Sequence, residues 1–141
     1  MVRVDGRGVR GVRPHPRGDP ARGRRARPQC RPGPFRGDPQ LTNPEQLLLA
    51  AASSCQLLSF LAVAARARLD VVGYVDEASA VMPEDERPMR ITEIVLRPRI
   101  RLRGRGSEKV PRLVRIAHEE CFIANSLAVD VRIEPTVDVE D

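Results

Sequence analysis

The 141-residue chain is poor in several features that would fix its class at once. It has three cysteines and no CxxC pair, which argues against a zinc ribbon or a thioredoxin-type motif. It has no run of about 18 uncharged apolar residues with membrane-like flanks. The best candidate, residues 47–65, is interrupted by Ser53, Ser54, Cys55, Gln56 and Ser59, and is expected to be a buried helix with no membrane partner. The basic N-terminus lacks the apolar segment of a secretory signal, so the expected compartment is the cytoplasm, where thiols stay reduced unless they are working. His118 lies three residues before Cys121, but two ligands without a third do not make a zinc site, and neither metal nor cofactor is expected.

Charge is present but unevenly placed. The formal net charge is +5, yet residues 1–34 hold ten Arg against two Asp, which leaves the remaining chain net acidic. This first segment is also rich in Gly and Pro and has no aromatic residue, so it lacks a platform for stacking bases. With so few large apolar side chains it cannot bury enough surface to fold alone. It reads as an Arg/Gly/Pro low-complexity segment, either disordered or the out-of-frame product of a GC-rich gene. An arm that neutralises phosphates is the alternative, with nucleic acid as its partner. Ordinary folding signals begin at Phe35, and residues 35–141 suffice for one domain.

The elements then follow in order. Asn43 is a good N-cap, Pro44 suits the first helical position and Gln46 completes a capping box, so a helix should run from Pro44 to about Arg66 or Arg68. Residues 70–82 read as an irregular strand bent or bulged at Gly73. Residues 83–88 form a loop. Ile94, Leu96, Ile100 and Leu102 alternate with Glu93, Arg97, Arg99, Arg101 and Arg103, the period of a half-buried strand whose arginine face is solvated. Ser107 is expected to cap a second helix that continues through Cys121 to Ala124. Val129 to Val139 alternate with charged residues as a last strand, and Pro98 and Pro135 each imply an edge or a bulge. The plan is α+β: an antiparallel sheet packed on two core helices.

Cys55 and Cys121 sit 66 residues apart, each in an apolar helix-like run. TNPEQLLLAAASSC and, further on, AHEECFIANSL together resemble the OsmC/Ohr family of osmotically inducible and organic hydroperoxide resistance proteins, and FRGDP together with AHEECFIANS looks like its OsmC-like subgroup. The resemblance covers residue 35 to the C-terminus. It implies a thiol-dependent peroxidase that reduces organic hydroperoxides or hydrogen peroxide and is recycled by an external dithiol. It also implies an intertwined homodimer with its sites at the subunit interface. Cys55 would be the peroxidatic cysteine, Cys121 the resolving one, and Glu45 the residue that orients an activating arginine. The family takes that arginine from its N-terminal strands. Those strands look missing or non-native here, and Arg36 is the nearest substitute. One departure stands out: the second cysteine is followed by Phe122 and Ile123 rather than Pro-Val.

The chemistry gives these roles sense. A thiolate attacks one oxygen of a peroxide to leave a sulfenic acid, which a second thiol converts to a disulfide. An attacking thiol needs a cation or a helix N-terminus to favour its thiolate. Glu119 and Glu120 beside Cys121 should disfavour ionisation there, which suits a resolving thiol. In one continuous helix, Glu45 and Cys55 lie about 15 Å apart, so either the helix breaks or the site spans subunits. The alternative to catalysis is a catalytically impaired family member with a binding or structural role.

Overall fold

The computed structural model describes residues 2–5, 8–10 and 42–140, the first two segments by their backbone. Helix α1 begins where the sequence caps it. The Asn43 side chain accepts from the Gln46 N–H at 2.8 Å and the Gln46 side chain accepts from the Asn43 N–H at 3.0 Å, so α1 spans Pro44–Arg66. It stops in a Schellman pattern, with Leu69 N–H on the Ala64 carbonyl and Arg68 N–H on that of Ala65. Arg68 adopts φ 58° to make this turn.

Strand β3 (Asp70–Val81) is the spine of the sheet. Strands β1 (Val2–Asp5) and β2 (Gly8–Arg10) form a hairpin on one of its edges, β1 pairing antiparallel with β3 from Val75 to Ala78. The N-terminal strands, expected to be missing or non-native, are represented by these two short strands. The Arg/Gly-rich start adds to an existing edge, where backbone hydrogen bonds need no apolar side chains. The rest of the segment up to residue 34, with Arg36, lies outside the described residues.

The other edge of β3 pairs antiparallel with β5 (Pro98–Arg103) and, further along, with β4 (Glu93–Leu96). The register slips between Val71 and Gly73, the bulge the sequence signals. A Cβ on Gly73 would fall 2.6 Å from Arg101 Nε, so glycine lets the arginine lie across the strand.

The last strand is two, β6 (Val131–Ile133) and β7 (Thr136–Glu140), and here the all-antiparallel expectation is corrected. β6 runs parallel to β4 and β7 parallel to β5. The reason is the connection: α2 and α3 cross over between the paired strands, and a helical crossover returns the chain in the same direction. One register runs through both pairs, from Ile94 opposite Val131 to Arg103 opposite Glu140, and it sets Pro98 level with Pro135. Each proline lacks an N–H for the ladder, so both strands break at the same height.

The second helix also departs from expectation. Ser107 does not cap it; Ser107–Lys109 form a 3-10 turn behind Gly106 at φ 112°, and α2 spans Val110–Glu119. Cys121 then takes an extended conformation and becomes the N-cap of α3 (Phe122–Ser126). The apolar spacing across this break is helical, but the helix is not continuous.

The core lies between the helices and the inner sheet face, where Phe60, Ile94, Leu96, Ile100, Leu102 and Val110 are fully buried. Though α1 is long and apolar enough by composition to cross a membrane, it packs here on β3 and α2. The opposite sheet face carries the exposed arginines. Arg97 pairs with Glu134 at 2.9 Å, Arg101 with Glu140 at 3.1 Å and Arg103 with Asp70 at 3.5 Å, joining neighbouring strands across the surface.

Candidate active site

The break at Cys121 brings the two thiols together. Cys55 is half-buried in the middle of α1, and Cys121 is buried beneath the start of α3. The thiol of Cys55 lies near enough to Cys121 to act on its ionisation. The Ile123 N–H reaches the Cys55 sulfur at 3.5 Å, and the N–H groups of Ala124 and Ile123 also act on the Cys121 sulfur. These are among the donors that a helix start leaves without intrahelical partners. The start of α1 is too far along the helix to reach Cys55, and the helix start that meets it is that of α3.

Burial is the main cause that pushes the Cys121 thiol above its ordinary range, and the neighbouring Cys55 adds to it, while the N–H groups of Ala124 and Ile123 act the other way. The direction expected from the sequence holds, but its reason does not. Glu119 is tied to Arg115 at 2.7 Å and Glu120 to Arg66 at 2.9 Å, so both carboxylates are engaged elsewhere.

Glu45 is not brought to Cys55. Because α1 runs unbroken, the two are separated by about 15 Å of helix. Glu45 instead lines a cavity of about 470 Å³ with Pro44, Leu48, Met82, Met89 and Arg90, at the start of the helix. Of the two resolutions left by the sequence, a broken helix is ruled out by this geometry.

His118 meets Cys121 through its backbone. Its carbonyl accepts the Cys121 N–H at 3.1 Å, while its ring lines a cavity of about 580 Å³ against β6, with Val114, Val131, Ile133 and Pro135. Among the described residues no group of three or more His, Cys, Asp or Glu is placed to hold a metal ion.

Sequence reasoning missed a buried polar cluster behind the thiols. Ser53 and Asp76 are fully buried, and the Ser53 hydroxyl donates to Asp76 Oδ2 at 2.5 Å. Asp76 Oδ1 accepts the Arg97 N–H at 2.7 Å, where the strand breaks before Pro98. Burial raises the Asp76 carboxyl above its ordinary value, against these two hydrogen bonds. Tyr74 lies on the same inner face of β3, its ring 5.9 Å from that of Phe60. A signal was present: the strand's period of two puts Tyr74, Asp76 and Ala78 on one side.

A pair of unequal thiols on an α+β scaffold, one half-exposed and one buried at a helix start, defines a candidate dithiol redox protein. A family model described as OsmC-like protein matches residues 37–136, and the chain belongs to that family. Among solved structures, an OsmC-like protein of unknown function from Vibrio cholerae is 33% identical with a TM-score of 0.67, over 74% of this chain and 70% of that one. The organic hydroperoxide resistance protein OhrB of Bacillus subtilis is 26% identical, with a TM-score of 0.51 over 68% and 71%. One from Legionella pneumophila shares the fold at 21% identity and a TM-score of 0.56, over 73% and 74%. No curated protein sequence matches the chain.

Proposed function

We propose that the protein is a thiol peroxidase that reduces organic hydroperoxides or hydrogen peroxide. Cys55 attacks one oxygen of the hydroperoxide: a sulfur–oxygen bond forms, the oxygen–oxygen bond breaks and the alcohol, or water, leaves with a proton. Cys121 then displaces the hydroxyl from the Cys55 sulfenic acid to give an intramolecular disulfide and water. An external dithiol returns both to thiols. The observation that supports this reading most is the meeting of the two free thiols at the start of α3, with the Ile123 N–H on the Cys55 sulfur. The hydroperoxide resistance named for the Bacillus relative supports the substrate class.

A homodimer completes the site. Glu45 cannot reach the Cys55 of its own chain, so it acts, together with the arginine it orients, on the thiol of the second subunit. Arg36 is the arginine proposed for that role. The apolar residues left exposed around Cys55, Leu58 and Leu61 on α1 and Phe122 on α3, are the surface the second copy covers. The protein works in the cytoplasm, where a dithiol reductant is at hand.

The test is peptide mapping after one equivalent of an alkyl hydroperoxide. A Cys55–Cys121 disulfide is expected in the wild type, together with hydroperoxide consumption that Cys55→Ser abolishes. Equal, near-zero consumption by both proteins would sink the reading.

A further inference from the structure

The stretch AHEECFIANSL ends in two polar residues that the thiol chemistry leaves without a task, Asn125 and Ser126, both in α3. This helix is five residues long, far below the roughly 12–15 at which a helix begins to hold its own shape in water. None of its side chains is fully buried, and Phe122 is 81% exposed. Cys121 is buried at its start, and Ala124 and Leu127 pack part of their surface on the core. Most of its hydrogen bonds close within the same short stretch. Asn125 N–H donates to the Cys121 carbonyl at 3.0 Å, Leu127 N–H to that of Ala124 at 3.3 Å and the Ser126 hydroxyl to that of Phe122 at 2.7 Å. One bond leaves the stretch: Asn125 Nδ2 donates to the Glu119 carbonyl at 2.9 Å. Among the described residues no other side chain of α3 bonds to another helix or strand.

That bond spans the break in the chain. Glu119 is the last residue of α2, and the extended Cys121 stands between it and α3, where two soft backbone dihedrals would otherwise leave so short a helix free to tilt. The Glu119 carbonyl is one of the acceptors that a helix end leaves without an intrahelical partner, so a single amide satisfies α2 and fixes α3. The carboxylates beside it do not compete for that amide, since Glu119 is tied to Arg115 and Glu120 to Arg66. What the tilt decides is the direction of the Ile123 N–H, which meets the Cys55 sulfur at 3.5 Å. A backbone N–H is not aimed by its own side chain. Only the placement of its helix aims it.

We propose that Asn125 is a positioning residue for the attacking thiol: its side-chain amide clasps the end of α2 and so holds the Ile123 N–H on the Cys55 sulfur. The use of this clasp rests on the thiol-peroxidase reading, although the clasp itself does not. In that reaction the Cys55 sulfur takes one oxygen of the hydroperoxide, the oxygen–oxygen bond breaks, and the thiol proton ends on the departing alcohol. The N–H supports the negative charge on the sulfur after its proton leaves and before the new bond forms. A hydrogen bond to a charged atom is roughly twice as strong as one to a neutral atom, so the contact counts most at that moment. Asn125 acts only through Ile123.

Asn125→Asp keeps the shape of the side chain and removes its N–H donor, whereas Asn125→Gln keeps the donor on a longer arm. In the reduced, full-length protein the Ile123 amide proton should exchange about tenfold faster in Asn125→Asp than in the wild type, and its resonance should move toward that seen in Cys55→Ala, where the sulfur is gone. Amides of β3 should keep their exchange rates. Iodoacetamide should alkylate Cys55 about fivefold more slowly in Asn125→Asp at pH 7, and Asn125→Gln should recover most of that loss. With an alkyl hydroperoxide, trapping of the Cys55 sulfenic acid should slow by the same factor. Asn125 is exposed, so the fold should survive; if the β3 amides also exchange faster in Asn125→Asp, Asn125→Ala replaces it in every comparison. An Ile123 exchange rate or a Cys55 alkylation rate left at the wild-type value overturns the proposal, whatever the hydroperoxide does. Both rates changing as expected, in a protein whose wild type consumes no hydroperoxide, keeps the clasp and overturns the peroxidase reading instead.

Discussion

The two faces of α1 invert the usual rule for a helix in water. Its inner face buries Ser53 and Gln56 among Leu49, Leu57, Phe60 and Val63, whereas its outer face exposes Leu47, Leu58 and Leu61, Leu58 to 67%. Ser53 is tolerated because it is bonded to Asp76; the Gln56 amide N–H reaches the Val114 carbonyl at 3.4 Å, while its Oε1 has no hydrogen-bond partner among the described residues. The outer leucines have no such account within one chain. Cys55 lies on the boundary between the faces, with exposed Phe122 beside Ile123, whose N–H touches its sulfur. The difference teaches that one face of this helix was selected for a single chain's core and the other for something that core does not contain.

The comparison breaks most easily from the inside. Phe60→Ala should lose about 4 kcal/mol of stability in urea unfolding, since a fully buried ring leaves a cavity beneath Tyr74. Asp76→Ala should cost about 3 kcal/mol by the same measurement, because it strands the Ser53 hydroxyl and the Arg97 N–H. The charge itself is a separate matter, and pH separates it. Asp76 is raised above 3.8 when folded, so between that value and its folded pKa the native state holds a proton that the unfolded chain has lost. This contribution to stability is full below 3.8 and declines as pH rises through that window. Asp76→Asn should therefore flatten the fall seen in the wild type over that range; an unchanged slope would show that the carboxyl is not held protonated. The outer face should answer differently. Leu58→Lys should change unfolding of the single chain by no more than about 0.5 kcal/mol, yet shift the protein from dimer to monomer in sedimentation. A dimer that survives it would place the interface elsewhere.

Much of the fold was legible because its signals are local. Asn43, Pro44 and Gln46 cap α1 through bonds made within one turn. The Gly73 bulge and the alternation of Ile94 to Leu102 with arginines depend only on neighbours along the chain. The same locality misled at Cys121, where helical spacing continued through a residue whose backbone is extended. It misled again at the last strands, since direction depends on the crossover rather than on the residues of the strand. At the site, both cysteines and the family could be read from the chain, and Ser53, Asp76 and Tyr74 could not, because a serine in an apolar helix gains meaning only when a carboxyl lies 2.5 Å away on another element.

The sequence alone determined which residues hold the thiols, where α1 starts and stops, and the family to which the pattern belongs, because caps, periods and motifs act over a few residues. Tertiary structure decided that α3 begins at the second thiol, that Glu45 stays a helix length from the first, and that a buried acid and a lone tyrosine stand behind them. Those facts come from contacts between distant segments, whose energies depend on burial and direction that no stretch of chain carries by itself.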